Sequence, residues 1–268
     1  MKGRLVSLGL ALVLLCGCAG PAAGDTFLAG GARSRCAALL EREKPRMDDL
    51  LYGRVPQGPA VDPSWFNDAA FVGDSVSVML EYYNNSTHAL GNPAFFCVES
   101  LNPRNAMRAE AGSPRLPEWP KGSGERPLLQ DGIAQSGVSK IYVMLGINSI
   151  SGGVDNALRD LVTLIDLIQA SSPQAAILIQ PVTPMTSDSP RADDILNNWL
   201  IQDYDQALIQ VCRDHGWYYV DVYQIMADEY GALWAEYSGD KSMGIHMNFA
   251  GAAAWADYLL THVPIALR

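Results

Sequence analysis

The chain has 268 residues, of which 49 % are hydrophobic and 18 % charged, and a formal net charge of −10. That is a globular composition at a length that suits one large domain, alone or with an attached arm. An acidic chain with no run of lysine or arginine is a poor binder of nucleic acid or anionic lipid headgroups through charge.

Met1-Lys2-Gly3-Arg4 is a basic start, and Leu5 to Leu15 is an apolar stretch too short to span a bilayer. Leu15-Cys16-Gly17-Cys18 follows and resembles a bacterial lipobox, in which a cysteine after a small residue becomes the lipidated N-terminus. Cys18 follows Gly17 and fits better than Cys16, which follows Leu15. The expectation is a signal peptide over 1–17, a lipid anchor at Cys18, and a mature protein at the membrane outside the cytoplasm. A plain secretory signal cut near Ala19 or Ala23 is the alternative.

Residues 18–67 read as a tether and an N-terminal arm. Small residues run to about 34, and Cys36 to Leu51 has helical spacing interrupted by Pro45. Pro56, Pro59 and Pro63 then mark an extended connector. Beyond the signal stand Cys36, Cys97 and Cys212. An odd number leaves at least one free or paired with another chain, and Cys36 to Cys97 is a candidate bridge. No cysteine has metal-ligand spacing.

The domain is expected over 68–268. Ala69 to Val72 is a short buried strand, Gly73-Asp74 a tight turn, and a helix opens at Ser75 or just beyond and runs to Tyr83. Phe95 to Val98 is a candidate strand. Arg104 to Gly132 is rich in proline and glycine and reads as a long surface loop. Lys140 to Leu145 is a buried strand, and Val154 to Ser171 repeats apolar residues at helical spacing. Ala175 to Ile179 is a strand, Ile195 to His215 a helix with Gly216 closing it, Trp217 to Val222 a strand, and Phe249 to His262 the last helix. Strands and helices alternate, and the strands are apolar without period-two alternation. The pattern predicts an α/β fold, a three-layer α/β/α sandwich with a mostly parallel sheet.

Several chemistry-bearing residues fall at strand ends on one edge of this sheet, where ligands bind in open α/β folds. Ser75 follows the first strand, Asn148 follows the strand ending at Leu145, and His246 precedes the last helix. Gly112-Ser113 lies in the long loop. A serine hydroxyl is a weak nucleophile until a base takes its proton, and a histidine is the usual base. Attack on an ester carbonyl creates an oxyanion that needs preorganised N–H donors. A helix-capping serine or a turn asparagine would satisfy the same local pattern. Trp119, in the proline-rich loop, either lines the cleft or anchors the loop. His88, His215 and His262 read as surface or helix-end residues.

Gly73-Asp74-Ser75, Gly146-Ile147-Asn148, and His246 ahead of Asn248-Phe249-Ala250-Gly251 resemble the first, third and fifth sequence blocks of the SGNH/GDSL hydrolases. The resemblance covers about 68 to 262 and implies the flavodoxin-like SGNH fold. It also implies a serine esterase acting through an acyl-enzyme, with Ser75 as nucleophile and His246 as base. The oxyanion hole would be formed by the Ser75 N–H, the Gly112 N–H and Asn148, and no metal or organic cofactor is implied. The family's usual acid stands three residues before the histidine, where this chain has Met243; Asp240 is the nearest upstream acid and a candidate to orient the ring. Ser149 replaces an acid that often follows the third-block asparagine, and Val76 replaces the usual leucine. The implied substrate is a small acyl ester of a lipid or an O-acetylated glycan. The alternatives are an O-acyltransferase acting on a surface glycan, and a catalytically weakened glycan-binding module.

Overall fold

The computed structural model describes residues 53–193 and 195–268. Within them, β1 (Ala69–Gly73), β2 (Ala94–Cys97), β3 (Lys140–Met144), β4 (Ala176–Ile179) and β5 (Tyr218–Tyr219) form one sheet. Its order is β2-β1-β3-β4-β5 and every pairing is parallel. The helices are α1 (Ser75–Thr87), α2 (Pro103–Arg108), α3 (Leu129–Ser136), α4 (Val154–Ser171), α5 (Asn198–His215), α6 (Tyr223–Met226) and α7 (Phe249–Thr261). α1, α6 and α7 pack together, and α4 packs with α2, α3 and α5. The expected three-layer architecture is the one observed.

The two central strands explain the apolar runs. All five residues of β1 and all five of β3 are buried, since helices cover both faces. Phe71 is in register with Tyr142 on one side and Phe95 on the other, and the three rings stack at centroid distances of 4.9 and 5.3 Å. Phe66, fully buried, lies 6.2 Å from Phe71 and 5.9 Å from Tyr142. α4 buries Leu158, Leu161, Ile165 and Ile168 at the expected helical spacing, with Leu164 beside them.

The chain leaves β1 outward to β2 and returns to β3 on the other side of β1. The sheet therefore reverses its winding between β1 and β3, and a crevice opens there at the carboxyl ends of the strands.

Four boundaries differ from the sequence reading. The packed unit begins before residue 68. Gly53 and Val55 hydrogen-bond to Tyr219, Gly58 to Thr261 and Val61 to Leu260, so the proline-marked connector is bound to the domain. The expected long loop is bounded by two helices. Asn102 caps α2 through its Oδ1, 2.9 Å from the Asn105 N–H, with Pro103 in the first turn, and α3 starts at Leu129. β5 is shorter than Trp217 to Val222, because the chain turns back on itself where the Val222 N–H donates to the Val220 carbonyl. α5 begins at Asn198, where Asn197 caps it. The helical spacing at Cys36 to Leu51, Cys18 and Cys36 lie outside the described residues. Cys97 and Cys212 are buried free thiols.

Candidate active site

Asp74, not Ser75, caps α1. Its Oδ1 accepts the Val76 N–H at 3.0 Å, and Ser75 is the first helical residue. This places the Ser75 hydroxyl beyond the end of β1, at the positive end of α1. Asp74 is 2 % exposed, and burial pushes its carboxyl up to about 6 against the pull of the Val76 N–H, the Asn148 amide and His246.

Ser75 Oγ is 2.9 Å from His246 Nε2. His246 Nδ1 contacts Asp240 Oδ2. An ionised carboxylate only accepts, so Nδ1 carries the ring proton toward Asp240 and leaves Nε2 to accept from Ser75. The three residues form one continuous hydrogen-bonded chain.

The loop between Asp240 and His246 is shaped for this. Ser238 and Met247 form an antiparallel bridge, and the Gly239 N–H donates to the His246 carbonyl at 2.8 Å. The two ends of the loop are thereby held together. Asp240 Oδ1 accepts from the Gly244 N–H at 2.7 Å and the Ile245 N–H at 3.2 Å, which leaves Oδ2 for the ring. Gly244 sits at φ 65°, a conformation that favours glycine. Its carbonyl accepts from the Thr186 N–H at 2.8 Å, and Ser189 Oγ donates to the Met243 carbonyl. The segment after β4 thus supports the histidine loop. On the far side, Asn248 caps α7 through its Oδ1, with the Ala250 and Gly251 N–H groups at 2.8 and 3.1 Å.

Asn148 stands at the end of β3 on the opposite side of the crevice. Its Nδ2 donates to Asp74 Oδ2 at 3.0 Å. Gly146 precedes it where the backbone approaches α5 closely. A Cβ there would lie 2.5 Å from Val182 and 2.7 Å from the Tyr204 ring, so no larger residue fits. The Tyr204 hydroxyl donates to the Leu145 carbonyl at 2.8 Å and holds this turn to α5.

Gly112 is not part of this group. It is exposed, at φ 87°, and its N–H donates to the Arg126 carbonyl at 2.7 Å within the long loop, so the donor assigned to the oxyanion is already used. Ser100 lies in the cleft instead. It follows β2 at φ 60° and lines the same cleft as Ser75 and His246. Its N–H has no hydrogen-bond acceptor among the described residues. The sequence carries no local sign of it, because a serine does not advertise a left-handed position as glycine does. Trp119 anchors the long loop, its ring 4.7 Å from Phe96. His88 and His262 sit at helix C-termini, and His215 stacks on Trp217.

Two hollows flank the crevice. One, of about 340 Å³, holds Ser75 and His246. Val78, Met79, Tyr82 and Met243 give it apolar walls, and Glu99 and Ser100 complete it. The other, of about 250 Å³, begins at Asn148 and is polar, with Asn102, Asn105, Ser149 and Asn156 around the Arg104–Asp160 ion pair.

A family model, the GDSL-like Lipase/Acylhydrolase family, matches residues 71–254. No curated protein sequence matches the chain significantly. Among solved structures, a GDSL-like lipase from Bacteroides thetaiotaomicron is 12% identical with a TM-score of 0.55, covering 75% of this chain and 89% of that one. A candidate acylhydrolase from Bacteroides fragilis is 13% identical with a TM-score of 0.57, covering 75% and 88%. A candidate platelet activating factor from Streptococcus pneumonia is 19% identical with a TM-score of 0.53, covering 88% and 98%. At these identities the likeness is one of fold.

Proposed function

The chain belongs to the GDSL-like lipase/acylhydrolase family and is an ester hydrolase, and from that premise we propose that it cleaves a carboxylic ester through a serine acyl-enzyme. The observation that carries this reading is the continuous chain Ser75–His246–Asp240. His246 Nε2 takes the Ser75 proton as Oγ bonds to the ester carbonyl carbon. Asp240 keeps the proton on Nδ1 and stabilises the imidazolium. The negative charge that develops on the carbonyl oxygen is received by the Ser75 N–H, the Ser100 N–H and the Asn148 amide. When the intermediate collapses, the carbon–oxygen bond to the alcohol breaks, and Nε2 returns its proton to that oxygen. Water then attacks the acyl-enzyme with His246 as base, releasing the acid and restoring Ser75.

The substrate is an acyl or acetyl ester of a lipid or a glycan, as in lysophospholipase or acetylesterase activity. The polar hollow beside Asn148 supports an alcohol rich in hydroxyl or amide groups. The test is turnover of p-nitrophenyl acetate, butyrate and octanoate by the full-length chain in detergent, beside Ser75→Ala and His246→Ala. Turnover that both variants lose, with a mass increase of one acyl group on wild-type Ser75 after rapid quenching, supports the route. Turnover no greater than that of the variants on all three esters sinks it. Transfer to an added sugar in excess of hydrolysis would make the chain an acyltransferase instead.

The protein acts outside the cytoplasm, held by a lipid at Cys18. The basic start, the short apolar stretch and Gly17-Cys18 support this. Metabolic labelling with a radioactive fatty acid tests it: label in the wild type and none in Cys18→Ser is expected, and an unlabelled wild type would rule out the anchor.

A further inference from the structure

In the family resemblance, the position three residues before the histidine carries the acid. Here Asp240 reaches His246 from six residues away instead. Position 243 is thereby released from that task, and Met243 turns its half-buried side chain to the cleft that holds Ser75. The same cleft is lined by Val78 and Met79 from the first turns of α1, with Tyr82 one turn beyond Val78. Among the described residues the cleft lining includes Glu99 but no lysine or arginine, so none of them would neutralise an anionic chain. Its volume of about 340 Å³ exceeds what an acetyl group fills. The neighbouring hollow is lined by amides and hydroxyls, where an aliphatic chain would displace water from polar groups without replacing their hydrogen bonds.

Building on the esterase reading above, we propose that Met243, which lines the cleft with Met79 and Val78, is the specificity-determining residue of an acyl-chain site. The favoured ester carries a neutral, medium-length aliphatic acyl group, and the polar hollow receives the alcohol. Two methionines suit this task, because unbranched thioether side chains adapt to chains of differing length.

The experiment measures kcat/KM of the full-length chain on p-nitrophenyl acetate, butyrate, hexanoate and octanoate. In the wild type, kcat/KM rises by up to about fourfold per added methylene, the scale set by burying a CH₂ group. Met243→Gln lowers the octanoate-to-acetate ratio by about tenfold, while Met243→Leu keeps the ratio within about threefold of wild type. Should Met243→Gln fail to fold, Met79→Asp, on a different element, reads the same ratio. A flat chain-length profile, or a ratio unchanged by Met243→Gln, overturns the inference and leaves the esterase reading intact. Absence of turnover on every ester overturns both.

Discussion

Asp240 and His246, six positions apart, are joined carboxylate to imidazole across a closed loop, with the other carboxylate oxygen spent on the loop's own N–H groups. One side chain therefore both shapes the loop and orients the base. Asparagine at this position keeps an oxygen for Gly244 and Ile245 but turns an N–H toward Nδ1, which favours the wrong tautomer. Asp240→Asn is expected to lower kcat by about 10³- to 10⁴-fold, the scale known for serine proteases, with a thermal midpoint close to wild type. A loss under about threefold would remove Asp240 from the mechanism.

Asn148 is expected to act through its amide. Asn148→Ala should lower kcat by about 10²- to 10³-fold with a small change in KM, as for other side-chain donors to an oxyanion. Steady-state kinetics decide the matter. If kcat falls by less than about threefold while the protein loses stability, Asn148 serves only to bind Asp74.

The buried carboxyl of Asp74 makes stability depend on pH. Its folded value of about 6 lies above its ordinary 3.8 because burial disfavours the charge. Between those values the folded state holds more protons than the unfolded state, so Asp74 makes the protein less stable as pH rises through that window. The shift corresponds to about 3 kcal/mol at neutral pH. Asp74→Asn keeps an oxygen for the Val76 N–H and carries no charge. Urea unfolding at about pH 4.5 and about pH 7.5 should show the variant gaining on wild type at the higher pH. An equal difference at both would contradict the assignment. The same change sets one N–H group against the amide of Asn148, so activity should fall even where stability rises.

How much of this was legible beforehand follows from where the signals were local. Ser75, Asn148 and His246 each sit beside a strand or helix end whose own residues announce it, so their grouping was readable in order along the chain. Asp240 was visible as an acid, but its reach to His246 depends on the bridge between Ser238 and Met247, a pairing with no sequence signature. Gly112 stands for a glycine that the family resemblance implies in the oxyanion hole, yet its loop closes on Arg126. Ser100 takes up the left-handed backbone without a glycine. The start of the domain was misjudged for a related reason. Prolines at 56, 59 and 63 mark an extended chain equally well whether it is free or hydrogen-bonded along an edge.

The upstream segment gives a further expectation. Phe66 is fully buried against Phe71 and Tyr142, upstream of the expected boundary. Phe66→Ala should cost about 3–5 kcal/mol in urea unfolding, the range for emptying an aromatic site in a core. A chain beginning at residue 68 should lose cooperative unfolding, whereas one beginning at 53 should keep it. Equal stability of the two truncated chains would show that the upstream segment contributes nothing.

Ser75 and His246 are 171 residues apart, and they meet because α1 and α7 pack side by side. The hydroxyl therefore has no base until nearly the last residue has been synthesised and the final helix has docked. A nascent chain is chemically inert toward the esters around it, and a chain clipped within its C-terminal helix should stay so.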